Sequence, residues 1–390
     1  MNWAYRHTAL AVCTLAFGVT MVARLSISPV IPQITAEFAV TNATVGLALS
    51  GMWAAYALCQ FPSGVLGDRF GERRVILAAV GLTGLSTLLL AVVPSFRLFA
   101  LAVVLLGAAA GLHYTVATTF LASLFDDIGR AIGVHVAGGP IAGLVTPVAV
   151  AAVAAQYGWR AAMLVGTVLA IPTFLVFRWL VRSTPPARPD QPMAERFEPD
   201  AMRELLARPP IMYTTLLAML GAFTWQATAS FLPVLLQAHH GLSTATASLL
   251  FSIYFLSHGL TQPVTGWLSD RFSRDGATML TTATGVVAYA LLVVDGRLWV
   301  LVAGSLGAGL AMSWGSPLQS RFLDRLSAAE QGAGFGLVRT VYMILGASGS
   351  LVVGAVSDIA GWPVAFGLLS TIMLLSLCGL AANRLLGLGL

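Results

Sequence analysis

The chain has 390 residues, of which 57% are hydrophobic and only 9% are charged, and its formal net charge is +5. Ordinary globular proteins contain about one quarter charged residues, so this composition excludes a soluble protein of two or three domains. It predicts an integral membrane protein whose surroundings are the lipid bilayer. All 21 basic residues are arginine, and because they cluster near predicted helix ends, we expect no nucleic-acid partner.

Apolar runs of about twenty residues follow one another along the chain, a length that suits helices crossing a hydrocarbon layer of about 30 Å. Helices are required because lipid leaves unpaired backbone polar groups unsatisfied. No cleavage-type sequence follows the first run, so we expect its helix to be retained rather than removed as a signal peptide. The sequence therefore predicts an all-α membrane protein with twelve transmembrane helices, at residues 8–32, 44–66, 74–93, 97–120, 130–155, 160–181, 211–236, 246–268, 276–294, 297–320, 332–356 and 362–385.

The arginines are distributed unevenly between the two sides of the membrane. Sixteen lie in loops on the side of the N-terminus, three lie in the opposite loops, and two lie within predicted spans. By the positive-inside rule this asymmetry predicts that both termini are cytoplasmic, and it supports an even number of spans. We expect a monomeric, multi-pass protein of the cytoplasmic (inner) cell membrane.

A charged turn between two apolar runs occurs twice. The segment Asp68-Arg69-Phe70 reappears 202 residues later as Asp270-Arg271-Phe272. Since each half contains six spans, both halves start on the same side and form parallel repeats around a shared central cavity. The predicted domains are a six-helix bundle at 1–181, a cytoplasmic linker at 182–210 and a second six-helix bundle at 211–390. Further matches between the halves are Pro29-Val30 with Pro233-Val234, Gln60 with Gln262, Arg97-Leu98 with Arg297-Leu298, Leu106-Gly107-Ala108 with Leu306-Gly307-Ala308, and Gly158-Trp159 with Gly361-Trp362.

The first charged turn resembles the signature of the major facilitator superfamily, which lies between its second and third helices. It reads Gly64-x-x-x-Asp68-Arg69-x-Gly71-x-Arg73-Arg74, and the resemblance covers essentially the whole chain. It implies a prokaryotic secondary transporter rather than an enzyme, with two six-helix bundles that alternate access by a rocker-switch motion. The subfamily stays unassigned.

The same resemblance implies a gate, because this turn latches the cytoplasmic ends of the two bundles in the outward-facing state. Asp68 is then expected to face the start of helix eleven, near Arg339. Asp270 is expected to face the start of helix five, near Arg130. An aspartate is favoured at the positive end of a helix. Alternatively, Asp68 only stops the hairpin turn and Arg69 only serves the topology. The predicted gating residues are Gly64, Asp68, Arg69, Gly71, Arg73, Arg74, Arg130, Asp270, Arg271 and Arg339.

Arg24 lies about fifteen residues into the first predicted span. An arginine within the hydrocarbon costs at least about 2.5–3.5 kcal/mol unless it faces a cavity or a partner, and no carboxylate lies deep in a predicted span to neutralise it. We therefore expect Arg24 to bind an anionic solute. Alternatively, it snorkels outward or bonds the carbonyls of Pro29 and Pro32.

The segment Arg24-x-x-Ile27-Ser28 also resembles the first-helix arginine of organic-anion and phosphate-ester members of the superfamily. Those with two cavity arginines carry the second in helix seven, where this chain has Thr228. This difference favours a small organic monoanion over a doubly charged phosphate ester.

Other polar and aromatic residues within spans are candidates for contact with the solute, although each can instead serve helix packing. Trp53, Tyr56 and Gln60 in span two belong to this wider group. A histidine could also carry a transported proton, since its pKa lies near neutrality, so proton coupling through His113, His258 or the solute itself stays open. We expect no cofactor and no metal. The predicted substrate-binding residues are Arg24, His113, Tyr114, Trp225, Gln226, Tyr254, His258 and Trp314.

Span five offers an alternative function, a proton-coupled multidrug efflux antiporter. Gly138-Gly139-Pro140-x-x-Gly143 partly resembles a motif of such antiporters, but His135 replaces the upstream glycine and Leu144 the last one. Small residues that let helices pack closely explain it equally well. A membrane sensor is disfavoured because no added soluble domain is visible. A membrane enzyme is disfavoured because no nucleophile, acid pair or metal-ligand cluster appears, and no P-loop indicates an ATP-driven pump.

Overall fold

The computed structural model describes residues 5–125, 128–183, 185–186, 199–294, 296–327 and 333–390. Residues 184 and 187–198 of the predicted linker, which include Arg188 and Arg196, lie outside these ranges. The described part of the linker contains the helix α7, Pro199–Ala207.

The helices of the first half follow the apolar runs. Span one is interrupted because Pro29 and Pro32 have no backbone N–H to donate, and a short 3₁₀ turn at Ser28–Val30 separates its two helices. The helices are α1 Tyr5–Leu25, α2 Ile31–Phe38, α3 Asn42–Phe70, α4 Glu72–Val92, α5 Phe96–Ala122 and α6 Ile128–Leu180.

The second half repeats this arrangement. Span ten is divided by a 3₁₀ turn at Met312–Trp314, and span eleven is divided at Ala347. The helices are α8 Pro209–Ala238, α9 Thr244–Arg271, α10 Arg274–Val293, α11 Leu298–Ala311, α12 Gly315–Arg325, α13 Ala333–Gly346, α14 Ser348–Ala360 and α15 Trp362–Leu385.

These helices fit the twelve predicted spans. In the part of the chain that the structure describes, nine helical stretches are long and apolar enough to cross a membrane, and α3, bent near Pro62, raises the number to ten. Gly158 divides the 53-residue α6 into two spans, and α9 occupies the place of the predicted span 246–268. The all-α fold of membrane-spanning helices is therefore confirmed.

Two glycines show the internal repeat in the backbone itself. Gly158 has φ 81° and ψ 167°, and Gly361 has φ 84° and ψ 167°. Each is followed by a tryptophan that begins the last span of its half. Residues with a Cβ avoid this positive-φ conformation, so the match of Gly158-Trp159 with Gly361-Trp362 has a structural cause.

A second match needs correction. A Cβ added to Gly107 would overlap the carbonyl of Met52 in α3, whereas a Cβ added to Gly307 would meet Ala288 in α10. The position in the second half that packs like Gly107 is Gly309, which lies against the carbonyl of Tyr254 in α9. Gly107 therefore corresponds to Gly309, with the same spacing of 202 that separates Asp68 from Asp270. The Leu-Gly-Ala triplets are out of register by two residues, because their letters are common in any apolar helix.

The chain divides into two compact units, Met1–Val40 with Gly51–Phe197, and Thr41–Ser50 with Glu198–Leu390. In the first unit, α1, α4, α5 and α6 surround an apolar core that includes Cys13, Ile76, Phe120 and Phe177. The domain boundaries expected from the repeat stay a prediction.

In the second unit, the first turn of α3 is capped by a carboxylate from α14. The Asp358 carboxylate accepts hydrogen bonds from the backbone N–H groups of Asn42 at 3.1 Å and Ala43 at 2.7 Å, and from the Asn42 side chain at 2.9 Å. The first N–H groups of a helix have no partner within it, and the helix dipole favours a negative charge there. Asp358 is therefore satisfied by backbone donors.

Candidate functional site

Arg24 lies in the last turn of α1, where the chain approaches the 3₁₀ turn, and only 3% of its surface is exposed. Its Nε donates to the carbonyl of Thr20 at 3.1 Å, and its Nη2 lies 2.9 Å from the sulfur of Met21. The guanidinium is therefore buried inside its unit rather than turned outward to lipid. It does bond a backbone carbonyl, but that of Thr20 and not those of Pro29 and Pro32.

Two aromatic rings of α3 cover the guanidinium. Its central carbon lies 4.1 Å from the ring centre of Tyr56 and 5.1 Å from that of Trp53, distances at which a cation is attracted by a ring face. Among the ion pairs of the described residues, none joins Arg24 to a carboxylate. Trp53 and Tyr56 belong to the wider group of sequence candidates, and the structure places them on the cation.

Two buried histidines lie side by side in the same unit. His113 of α5 and His135 of α6 are fully buried, with ring centroids 5.5 Å apart. Phe17 of α1 contacts both rings, at 6.1 and 5.2 Å, and Tyr114 lies 6.3 Å from His135. The structure thus brings the predicted residues His113 and Tyr114 together with His135, which the sequence indicated only as a departure from a glycine motif. A histidine in an apolar span is itself a signal of function.

The nitrogens of these two rings are poorly satisfied. The backbone of Cys13 lies beside both rings, and the charge of Arg24 acts on His113. None of the four ring nitrogens makes a hydrogen bond of normal geometry within the described residues. Arg24, His113 and His135 therefore form a cationic and titratable region of the first unit.

The other predicted binding residues lie in the second unit. Gln226 donates to the carbonyl of Met343 at 3.3 Å, and its own side-chain oxygen is buried without a described partner. The Trp314 ring packs against Gly221 and lies 6.3 Å from Tyr342. Tyr254 and His258 of α9 are neighbours, with ring centroids 6.4 Å apart. Trp225 is half-buried.

The first charged turn has the geometry of a tight helix connection. Gly71, at φ 85° and ψ 138°, separates α3 from α4, which explains why glycine stands there. Gly64 lies earlier, in the last turns of α3. Arg69 lies over the ring of Phe70, and Arg73 donates to the carbonyl of Arg178. Arg74 lies in the first turn of α4.

In the second turn, Asp270 pairs with Arg274, four residues away, and Arg274 also bonds Asp324 at 2.9 Å. Arg271 ends α9. The expected latches of Asp68 near Arg339 and of Asp270 near Arg130 stay predictions.

Arg321 departs from its expected place in a cytoplasmic loop. It lies inside α12, where only 5% of its surface is exposed. It forms an ion pair with Asp275, and its Nε donates to the Thr214 hydroxyl at 3.1 Å. The predicted span ended one residue too early to include it. Its carboxylate partner distinguishes it from Arg24.

Comparison with known proteins agrees with this architecture. The family model described as Major Facilitator Superfamily matches residues 9–247 and 214–385. The chain is 24% identical over 319 residues to the membrane sensor protein UhpC of Salmonella typhimurium, which covers 76% of this chain and 71% of that one. It is 24% identical to the gallate transporter of Pseudomonas putida, and the match covers 94% of this chain and 89% of that one. The solved structure of a bacterial homologue of the human lysosomal transporter Spinster, inward-facing and unoccupied, has a TM-score of 0.82 at 17% identity and covers 98% of each chain.

Proposed function

Because the chain belongs to the Major Facilitator Superfamily, we propose that it is a secondary active transporter whose solute is a small organic monoanion held by Arg24. Family membership confirms the expected multi-pass, helical membrane protein. It also confirms the expectation of transport rather than enzymatic catalysis.

The observation that carries the proposal is the guanidinium of Arg24, which is buried and lacks a carboxylate partner in the described part of the chain. Leaving a charge buried and uncompensated is costly. A solute carboxylate would offset this cost, and two parallel N–H···O bonds from a guanidinium give it both strength and orientation. Trp53 and Tyr56 add aromatic surface beside the charge, which suits a solute with an apolar or planar body.

The charge of the solute follows from a comparison of equivalent positions. The match of Pro29-Val30 with Pro233-Val234 places Thr228 opposite Arg24 in the repeat. Thr228 is neutral, and its hydroxyl lies 2.8 Å from the hydroxyl of Tyr289. The position equivalent to Arg24 therefore carries no charge, which supports a solute with a single negative charge. The name of the gallate transporter, a relative over most of this chain, supports an aromatic carboxylate as the first solute to test.

The proposed cycle alternates access by a rocking motion of the two bundles about a site near the middle of the membrane. We further propose that the protein is a monomer of the cytoplasmic membrane, with both termini cytoplasmic and no nucleic-acid partner. The sixteen-to-three distribution of arginines between the two predicted sides of the membrane supports this orientation.

Counterflow in proteoliposomes tests the proposal. Vesicles loaded with unlabelled gallate should accumulate labelled gallate, and benzoate and other monocarboxylates should compete, whereas lipophilic cations should not. Arg24→Ala should abolish accumulation, with Arg24→Lys as the control that keeps a positive charge. Competition by lipophilic cations alone would instead favour the multidrug efflux alternative.

A second candidate, a membrane sensor, is favoured by the likeness to UhpC over 76% of this chain. A sensor would bind the anion without moving it. Gallate-dependent thermal stabilisation of the purified protein together with a complete lack of counterflow would support this function in place of transport.

A further inference from the structure

We propose that His113 and His135 form a proton-binding pair, which takes up one proton when the solute anion binds beside Arg24 and thereby couples transport to protons. This inference rests on the proposed function and names the coupling ion of the same site. It replaces the coupling through His113 or His258 alone that the sequence left open.

The geometry of His113 and His135 supports this proposal. Two imidazoles from different helices are fully buried with ring centroids 5.5 Å apart, a spacing that one N–H···N hydrogen bond can bridge when the rings turn toward each other. Their four nitrogens make no normal hydrogen bond within the described residues. Buried polar groups are nearly always satisfied, so these nitrogens are suited to hold a proton between them.

The groups that surround the two histidines come from several helices. From α1 come Arg24 and the backbone of Cys13. From α5 comes Tyr114. The helix α3 reaches Arg24 through Tyr56, and the charged residues of α4 are confined to its first turn, at 72–74. Arg24 is thus a fixed charge that acts on His113 of the pair.

The positive charge of Arg24 links proton uptake to anion binding. With Arg24 unpaired, an added imidazolium is repelled by the guanidinium. A solute carboxylate on Arg24 neutralises that repulsion and attracts the proton. Anion binding and proton uptake therefore favour each other, and thermodynamic linkage makes the effect reciprocal, with an expected coupling of roughly 5- to 150-fold.

Solid-state ¹⁵N NMR of histidine-labelled protein in phosphatidylethanolamine–phosphatidylglycerol vesicles tests the pair directly. His113→Gln and His135→Gln assign the two rings among the six histidines. Without solute, Arg24→Gln should let the pair gain one proton at a pH roughly one unit higher than in the wild type, which is a roughly tenfold change in proton affinity. Gallate added to the wild type should act in the same direction, and Arg24→Lys without solute should resemble the wild type.

Rings that stay neutral down to pH 5 both in Arg24→Gln and in gallate-bound wild type would overturn the proposal, as would titration confined to another histidine. Proton flux gives a second readout. An imposed pH gradient should drive gallate accumulation by the wild type, and in His135→Gln the ratio of gradient-driven accumulation to counterflow should fall. If gallate is not transported at all, the proposed function fails, while the solute-free Arg24→Gln arm still decides whether the pair binds a proton.

Discussion

Two arginines are buried to nearly the same depth in different surroundings, Arg24 with 3% of its surface exposed and Arg321 with 5%. Arg321 pairs with Asp275, bonds Thr214 and lies over the ring of Tyr213. Arg24 has two aromatic rings, a backbone carbonyl and a thioether sulfur.

Arg24 and Arg321 differ in the groups that contact the guanidinium and not in their burial. A buried cation with a carboxylate beside it is satisfied in the resting protein, so its role is to hold α12 against neighbouring helices. A buried cation among aromatic groups keeps its charge available for an anion that arrives from outside. Burial alone would have placed both in the same class.

The largest expected effect is on stability, at Arg321. Arg321→Ala leaves Asp275, whose side chain is 21% exposed, without its partner, so we expect the free energy of unfolding to fall by about 3 kcal/mol, the low end for a broken buried pair. Arg321→Met combined with Asp275→Leu removes both charges and should cost much less. Denaturant unfolding of the purified proteins measures both values, and a double variant as unstable as the single one would break the comparison.

The next effect is on transport, at Arg24. Arg24→Ala should lower the rate of anion counterflow by at least about 100-fold, because one lost charge-assisted contact in a water-poor site is worth several kcal/mol. Its unfolding free energy should change by no more than about 2 kcal/mol, the scale of the lost cation–π contacts. Unimpaired counterflow in this variant would show that Arg24 does not bind the solute.

A smaller effect tests the corrected register of the repeat. Gly107→Ala and Gly309→Ala should each destabilise the protein by about 1–3 kcal/mol, because both introduce a methyl group against a helix carbonyl. Gly367→Ala is the matched control, since a Cβ there has no neighbour within 4 Å. Thermal unfolding compares the three variants, and a neutral Gly309→Ala would contradict the assignment.

The smallest expected effect is at Asp358, whose carboxylate accepts hydrogen bonds from backbone N–H groups rather than from an arginine. Asp358→Ala removes the cap of α3 and should cost about 0.5–2 kcal/mol of stability, the usual range for a lost N-cap. Asp358→Asn keeps one acceptor oxygen and should cost less. Hydrogen exchange at the amides of Asn42 and Ala43 should quicken in the alanine variant, and unchanged protection there would show that the cap is dispensable.

Much of the fold could be predicted from the sequence, because the physics of lipid acts on composition. Apolar length identified the spans, and the glycines at 158 and 361 marked equivalent breaks. The deep position of Arg24 and the lack of a carboxylate at similar depth indicated an anion site before any contact was known.

The remaining features depend on helix rotation, which an apolar sequence barely encodes. In a helix that is apolar on all sides, the sequence has no periodic pattern that indicates which residues face a neighbouring helix. The contact between His135 and His113 could therefore not be predicted from the sequence. The burial of Arg321 was missed for a related reason, since a charge near the end of a span reads as a loop residue. The register of Gly107 required the packed backbone.

The distance between a bound solute carboxylate and the Arg24 guanidinium shows directly whether Arg24 holds the transported anion. Rotational-echo dipolar NMR can measure it with ¹⁵N-arginine protein and the ¹³C-carboxyl form of a carboxylate that counterflow shows to be transported. We expect a strong dipolar contact that disappears in Arg24→Lys. A bound, transported carboxylate whose contact persists in that variant, or that shows no arginine contact, would contradict it.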